Sequence, residues 1–235
     1  DVCSSDLARE MLSMSKAFLE RKGLENPRLE ADLLVAHALG IERLELYMRL
    51  DQPLLAAEVD RARDLLVRRG RREPTAYIVG HREFYARDFQ VGPGVLVPRP
   101  ETELLVDRAR ELLAGREGTR VLDVGTGSGC IAITLALELG EIADVHAVDI
   151  SAEALGYAGK NRERLGAAVT LHTRPGLPAF GPLPDRTEAS KLRKIDFELI
   201  VFAQFLGALT RQESFWPTSL DAEATVATGK VPAGA

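Results

Sequence analysis

The segment from Val121 to Leu139 constrains the fold of this chain more than any other. Its first four residues, Val121 to Val124, are typical of a short buried strand, and Ile131 to Leu139 predicts a mostly apolar helix. Between them, glycine occupies the alternate positions 125, 127 and 129. Glycine permits positive φ and close approach of a ligand, and a helix N-terminus offers unpaired N–H groups and partial positive charge. This order predicts a nucleotide-type binding corner.

Composition and charge are those of an ordinary globular protein. The 235 residues are 46% hydrophobic and 28% charged, with a formal net charge of −5. This charge gives no general reason to expect nucleic-acid binding, and no apolar run is long enough to predict a membrane span. The first residues do not have the pattern of a signal peptide. Cys3 and Cys130 cannot supply a disulfide framework, so a reducing, cytoplasmic compartment fits best.

Helical periodicity predicts a small bundle in the first part of the chain, residues 1–73. Apolar residues recur at helical spacing in four segments, residues 7–22, 27–40, 41–50 and 54–69. Residues 60–72 form an arginine-rich segment with six arginines: Arg61, Arg63, Arg68, Arg69, Arg71 and Arg72. They suit either a solvated helix face and end or a docking surface for an acidic partner or RNA. The sequence alone does not separate these two interpretations.

Residues 74–98 predict a connector that carries a β-hairpin. Short β-type pieces are expected at Tyr77–Gly80, Phe84–Tyr85 and Phe89–Val91. The sequence Gly92-Pro-Gly94 then predicts a turn. The composition differs here from the preceding bundle, so we expect a separate element between two domains.

Residues 99–206 alternate between strand and helix patterns. A helix start is expected at Pro100-Glu-Thr-Glu103. Strands are expected at 121–125, 145–150, 169–173 and 197–202, and helices at 130–139 and 152–165. This alternation predicts an α/β domain with a parallel, doubly wound, Rossmann-like sheet. Residues 174–194 predict a long loop, and residues 207–235 predict a disordered tail.

The glycine spacing indicates which nucleotide the corner binds. It is G-x-G-x-G, and Cys130 stands where a dinucleotide-binding corner has its third glycine, so an NAD oxidoreductase is the least favoured function. Asp149 ends the next expected strand, where a carboxylate can accept hydrogen bonds from both ribose hydroxyls. Asp123 can hold the turn or meet a ligand ammonium group. The pattern Asp-x-Gly-x-Gly-x-Gly is typical of methyltransferases that use S-adenosylmethionine. The residues expected to line this cofactor are Gly125, Thr126, Gly127, Ser128 and Gly129, together with Asp123 and Asp149.

Three stretches resemble the bacterial peptide-chain release-factor glutamine methyltransferases, the HemK/PrmC family. They are Arg82-Glu-Phe84, Gly92-Pro-Gly-Val-Leu-Val-Pro-Arg-Pro-Glu-Thr-Glu103 and Asp123-Val-Gly-Thr-Gly-Ser-Gly129. The resemblance covers residues 7–172 and 195–201. It implies an N-terminal helical substrate-docking domain and methyl transfer from S-adenosylmethionine to the glutamine side-chain amide of the Gly-Gly-Gln motif. In this family the connector passes near the cofactor, which makes Arg99 a candidate substrate-binding residue.

The chain departs from this family after the fourth expected strand. The family carries Asn-Pro-Pro-Tyr there, and the Asn side chain and a Pro carbonyl aim the lone pair of the substrate amide at the sulfonium methyl. Here Ala203 occupies the Asn position and Gln204-Phe-Leu206 follows. We therefore assign no catalytic residue and expect impaired transfer. The carboxylate that the family usually places near the adenine is also absent, since the segment is His172-Thr-Arg-Pro-Gly176.

Several explanations and functions stay open at this point. A frameshift, a truncated gene, a degenerate copy or a modified paralogue would each give this pattern. The chain could be a non-catalytic paralogue that binds the cofactor or a release factor, or a methyltransferase of nucleic acid or another protein. The resemblance implies release factors as partners of a cytoplasmic monomer without membrane or direct nucleic-acid binding. The four histidines lack metal-type spacing, so no metal is expected.

Overall fold

The computed structural model describes residues 7–173 and 199–202, and it divides the chain into two compact units between His81 and Arg82. Within the described residues, no helix is both long and apolar enough to cross a membrane. The division into docking domain, connector, methyltransferase domain and tail stays a prediction.

The first unit is a bundle of five α-helices joined by short loops. They are α1 (Ala8–Arg21), α2 (Pro27–Leu39), α3 (Arg43–Met48), α4 (Ala56–Gly70) and α5 (Thr75–Val79). The sequence signals are visible at α2, which has Pro27 at its first position and ends before Gly40, in the left-handed conformation with φ 68°. Apolar side chains fill the space between the helices, among them the fully buried Leu34, Val35 and Leu46. The predicted helical bundle is confirmed.

One prediction for this unit is wrong. The sequence predicts a β-type piece at Tyr77–Gly80, but Thr75–Val79 form the short helix α5 and Gly80 ends it with φ 83°. The physical reason is burial within the bundle: Ile78 packs in a cluster that contains Leu19 and Leu34. A single helical turn places Ile78 in that cluster and packs Val79 against it. Four residues are too few for the sequence to distinguish this arrangement from a strand.

Two arginines of the arginine-rich segment hold the ends of other helices. Arg61 Nε donates to the carbonyl of Ala38 at the end of α2, at 2.9 Å. Arg72 Nη2 donates to the carbonyl of Lys22 at the end of α1, at 2.8 Å. The last carbonyls of a helix have no partner within the helix and carry partial negative charge. These two arginines therefore stabilise helix ends.

Two further arginines form paired hydrogen bonds to carboxylates. Arg69 binds both oxygens of Glu30 on α2, with Nη2 2.9 Å from Oε1. Arg68 binds both oxygens of Glu73, with Nε 2.8 Å from Oε2. Paired contacts of this kind are the stronger form of ion pair. Four of the six arginines thus have a structural role in the bundle, and the choice between the two interpretations stays open.

The second unit contains a hairpin followed by an α/β domain. The hairpin consists of β1 (His81–Phe84), whose first residue closes the first unit, and β2 (Arg87–Gln90). The later elements are α6 (Glu103–Leu113), β3 (Thr119–Val124), α7 (Cys130–Leu139), β4 (Ala143–Asp149), α8 (Ala152–Leu165), β5 (Val169–Thr173) and β6 (Leu199–Phe202). Short 3-10 turns at Pro100–Thr102 and Gly140–Ile142 precede α6 and β4. The predicted alternation of strand and helix is confirmed.

The four later strands form one parallel sheet in the order β5-β4-β3-β6. Val121 of the third strand is paired with Val145 on one side and with Leu199 on the other. The strand order reverses between β3 and β6. Open parallel sheets bind ligands at the carboxyl ends of their strands, at such a switch point. The glycine turn follows β3 and lies at this position.

The hairpin packs into the core of the second unit. Phe84 and Phe89 are fully buried, and their rings meet edge to face with centroids 6.0 Å apart. They share one apolar cluster with Val106 of α6 and with Ile131 and Ile133 of α7. The hairpin therefore belongs to the same apolar core as the helices that cover the sheet.

The turn between β1 and β2 contains two residues with positive φ, Tyr85 at 52° and Ala86 at 55°. Hairpin turns of this kind favour glycine, because a Cβ in the left-handed region costs roughly 1–2 kcal/mol. We expect Ala86→Gly to raise the free energy of unfolding by about 1 kcal/mol in urea titrations. The matched control is Ala152→Gly at an exposed position without positive φ, which should lower it. A loss of stability in both variants would contradict the strained turn.

Candidate functional site

The turn after β3 has a backbone that only glycine adopts easily. Gly125, Gly127 and Gly129 have φ of 76°, 58° and 80°. The N–H of Gly125 donates to the carbonyl of Val148 on β4, at 2.8 Å. The N–H of Gly129, which caps α7, donates to the carbonyl of Thr126 at 2.9 Å. The turn is thus fixed to the neighbouring strand and ends at the positive end of a helix.

The glycines of this corner serve different purposes. A Cβ on Gly129 would lie 2.8 Å from Ile133 Cδ1 and 3.2 Å from Ala158 Cβ, so this glycine allows α8 to pack closely. A Cβ on Gly127 would have no atom within 4 Å. Gly127 therefore borders open space, where a ligand can lie against the backbone.

Asp149 ties the corner to the start of α8. Its Oδ2 accepts the N–H of Gly127 at 2.9 Å, and its Oδ1 accepts the N–H of Ser151 at 2.9 Å. A carboxylate has about four acceptor positions. Two backbone bonds leave one position on each oxygen for the hydroxyls of a ligand. The predicted carboxylate and glycine turn are therefore brought together.

Asp123 lies beneath the corner and is completely buried. Its Oδ2 accepts the Thr126 hydroxyl at 2.7 Å, whereas its Oδ1 has no hydrogen-bond partner among the residues that the structure describes. Burial raises the pKa of Asp123 to about 6, with a smaller contribution from the charge of Asp149, and hydrogen bonding from the Thr126 hydroxyl and the Ala132 backbone N–H opposes the shift. A buried carboxylate is costly, and a cationic ligand bound nearby would lower that cost.

The pKa of Asp123 predicts a pH-dependent penalty on folding. The folded pKa of about 6 exceeds the ordinary 3.8, so the folded protein holds this proton more tightly than the unfolded chain does. The contribution of Asp123 to stability is therefore full below pH 4 and is lost as the pH rises through 6. Relative to wild type, Asp123→Asn should therefore gain up to about 3 kcal/mol in unfolding free energy between pH 4 and 7. Urea titrations of the cofactor-free protein at both pH values measure this difference. A constant difference between variant and wild type would contradict burial of an ionisable group.

Sequence patterns missed Asn161, which lies on α8 and is completely buried. Its Nδ2 donates to the carbonyls of Ser128 in the corner, at 2.9 Å, and of Gln90 in β2, at 3.0 Å. Its Oδ1 accepts the N–H of Gln90 at 2.7 Å. One signal in the sequence could have found it. Asn161 lies seven positions after Ala154 and three after Ala158, so a polar residue shares the buried face of the helix with two alanines.

The other candidate residues are not joined to the corner. Arg99 is exposed beside the 3-10 turn, and among the described residues no hydrogen bond or ion pair links its side chain to the glycine turn. Ala203, with the three residues after it and the predicted tail, lies outside the described part of the chain. His172 Nε2 lies 2.8 Å from His146 Nδ1 on the neighbouring strand.

Comparison with known proteins assigns two stretches of the chain to protein domain families. Residues 10–80 match the PrmC N-terminal domain, and residues 116–175 match a methyltransferase domain. The second match contains the glycine corner and Asp149. The second unit is therefore a methyltransferase domain of the Rossmann-like class that depends on S-adenosylmethionine.

Curated relatives indicate which methyltransferases the chain is similar to in sequence. The release factor glutamine methyltransferase of Geobacter sulfurreducens is 45% identical over 178 residues, 76% of this chain and 61% of the relative. That of Koribacter versatilis is 46% identical over 164 residues, 70% of this chain and 58% of the relative. A solved SAM dependent methyltransferase from Aquifex aeolicus is 28% identical, covering 46% of this chain and 53% of that one, with a TM-score of 0.32.

The chain spans about three fifths of the length of these curated relatives. Within that span it is related to the release factor glutamine methyltransferases, and the resemblance identified in the sequence is confirmed.

Proposed function

We propose that this chain derives from a release factor glutamine methyltransferase, which methylates the glutamine side-chain amide of the Gly-Gly-Gln motif. The glycine corner with Asp149 carries the proposal, because the Asp149 carboxylate, Gly127 and Asp123 meet where the parallel sheet changes direction. The helical first unit is the proposed docking domain for the release factor.

The residues of the corner suit S-adenosylmethionine. Open space beside Gly127 allows the cofactor to lie against the backbone, and Asp149 has acceptor positions left for two ribose hydroxyls. The carboxylate of Asp123 lies buried beneath the turn, and its negative charge favours the ammonium group of the methionine part. When bound, the cofactor supplies an electrophilic methyl group on a sulfonium. The role of the corner is to hold and orient it.

No residue of this chain is proposed as catalytic. An amide nitrogen is a poor nucleophile because its lone pair is delocalised, so its position and hydrogen bonds decide the rate. Ala203 cannot supply the hydrogen bonds of the asparagine that the family carries at this position. Methyl transfer is therefore proposed to be slow or absent.

A second candidate is a non-catalytic paralogue that binds the cofactor or a release factor without turnover. The combination of an intact cofactor corner with Ala203-Gln-Phe-Leu206 in place of Asn-Pro-Pro-Tyr favours it. Under either candidate, the proposed partner is the Gly-Gly-Gln domain of a release factor, and the proposed state is a cytoplasmic monomer that does not bind nucleic acid directly.

Two measurements test these candidates. Calorimetry with S-adenosylhomocysteine measures cofactor binding, and transfer of labelled methyl to a Gly-Gly-Gln release factor measures turnover. The Geobacter enzyme is the matched reference. We expect binding with turnover at least about 100-fold below the reference, the size of effect that one lost transition-state hydrogen-bond donor causes. Absence of binding contradicts the proposed function, and turnover at the reference rate contradicts the impairment. Binding with no transfer favours the paralogue.

A further inference from the structure

We propose that Asn161 is a positioning residue that couples occupancy of the cofactor corner to the connector strand β2. This inference rests on the proposed function, because it assumes that the corner holds S-adenosylmethionine. The ligand site and the connector would then respond to each other through one buried side-chain amide.

The first step is the complete use of the Asn161 amide. Its two N–H groups serve two carbonyls, those of Ser128 and Gln90, and its oxygen serves the N–H of Gln90. Both backbone groups of Gln90 are thus satisfied by this one side chain, which replaces a neighbouring strand at that point of β2. Asn161 has no exposed surface, so water cannot substitute for these bonds in the native state.

The second step is the position of Ser128. It lies between Gly127, which borders the open space, and Gly129, which caps α7. The Ser128 carbonyl belongs to the peptide that joins it to Gly129. A ligand that fixes the corner therefore fixes the carbonyl to which Asn161 donates.

The third step is the packing of the connector along α8. A Cβ on Gly94 would lie 2.3 Å from the Glu153 carboxyl carbon, and a Cβ on Gly92 would lie 2.2 Å from the Tyr157 hydroxyl. Glu153, Tyr157 and Asn161 follow one another at intervals of four residues, so they share one face of the helix. This face contacts the connector from Gln90 to Gly94, just before the Pro98-Arg-Pro-Glu-Thr-Glu103 segment.

Together these contacts place α8 between the corner and the connector. Ala158 packs near Gly129 on the side of the corner, and Glu153 and Tyr157 pack against the connector glycines. Packing alone holds the two parts next to the same helix. Asn161 additionally bonds both of them with the same amide group, so a change in one alters the hydrogen bonds of the other.

Hydrogen exchange of the Gln90 amide tests the coupling. In the wild-type chain, saturating S-adenosylhomocysteine should slow exchange at Gln90 by about tenfold or more, because opening of β2 then breaks a bond shared with the occupied corner. In Asn161→Ala this ligand-dependent slowing should fall below about twofold, and the affinity for S-adenosylhomocysteine should fall by about tenfold. Asn161→Asp, which keeps an acceptor for the Gln90 N–H but loses both donors, should behave similarly.

The matched control is Glu138→Gln. Glu138 of α7 binds Arg87 of β2, with Nη2 2.6 Å from Oε1, so this variant weakens an anchor of the hairpin without touching the corner. It should keep the ligand-dependent slowing at Gln90, which separates coupling from a general loss of stability.

The outcomes are distinct. Wild-type chain that binds S-adenosylhomocysteine without a change at Gln90 overturns the coupling and leaves the proposed function standing. Equal slowing in wild type and in a folded Asn161 variant also overturns it. Wild-type chain that does not bind the ligand overturns both proposals. Absence of ligand-dependent slowing in the wild-type chain overturns the coupling even if neither Asn161 variant folds.

Discussion

Asp149→Asn is expected to lower the affinity for S-adenosylhomocysteine by at least about 100-fold, the largest loss of binding at any single position. The carboxylate of Asp149 accepts the N–H groups of Gly127 and Ser151, one on each oxygen. An asparagine has only one oxygen, so its NH2 must face one of these backbone donors. The ribose would then lose a charged acceptor, and the glycine turn would lose a fixed partner.

The size of this effect follows from the charge. Hydrogen bonds to ionised groups contribute about 1.5–3 kcal/mol each; in the variant one ribose hydroxyl would lose its acceptor and the other would keep only a neutral one. The distortion of the turn adds to the loss, because Gly127 is the residue that borders the open space. The lost bond, the weakened bond and the distorted turn together correspond to a factor of about 100 or more in affinity.

Asp144→Asn is the matched control for calorimetry on the Asp149 variant. Asp144 lies on the same strand β4, but its carboxylate is exposed and contacts His146 Nε2 at 3.0 Å. Its replacement should leave the affinity within about twofold of wild type, as expected of a surface substitution away from the site. Equal losses at both positions would show that general charge, rather than the corner, decides binding. Unchanged affinity of Asp149→Asn would exclude this aspartate from the cofactor site.

The sequence allowed much of the fold to be predicted because its signals are local. The α2 helix begins with proline and ends before Gly40, and the strand before Gly125 carries Val121, Leu122 and Val124, so each is visible in neighbouring residues. The miss at Tyr77–Gly80 has the opposite cause. Burial of Ile78 against Leu19 and Leu34 depends on residues far away in the chain, and a short apolar run does not reveal it.

The candidate site divides in the same way. The glycine turn and Asp149 were predictable, because the strand-turn-helix order brings the carboxyl ends of adjacent parallel strands together. Asn161 was not, because its partners Ser128 and Gln90 lie 33 and 71 residues away. The raised pKa of Asp123 likewise depends on complete burial, which several elements produce together. The local sequence pattern thus predicts the position of the glycine turn, whereas tertiary contacts decide which side chains form hydrogen bonds to that turn.

Gly129→Ala is expected to cause the largest loss of stability in the second unit. The glycine has φ 80°, which costs another residue roughly 1–2 kcal/mol. The new Cβ would also lie 3.3 Å from Ala158 Cα, and this backbone atom cannot move without shifting α8. Overpacking of this kind costs typically 1–3 kcal/mol, so the total is about 2–5 kcal/mol.

Gly127→Ala is the matched control, since it shares the glycine turn and the positive φ but not the crowding. Its φ is 58° and its Cβ would have no atom within 4 Å, so the stability loss should be only about 1 kcal/mol. Urea unfolding of the cofactor-free variants should therefore give a clearly lower free energy of unfolding for Gly129→Ala than for Gly127→Ala.

For S-adenosylhomocysteine binding the expectation differs, because a Cβ at residue 127 projects into the space where the cofactor is proposed to lie. Gly127→Ala should lose affinity although it stays folded. Equal stability of the two variants would contradict close packing of α8 on the corner, and normal affinity of Gly127→Ala would place the ligand elsewhere.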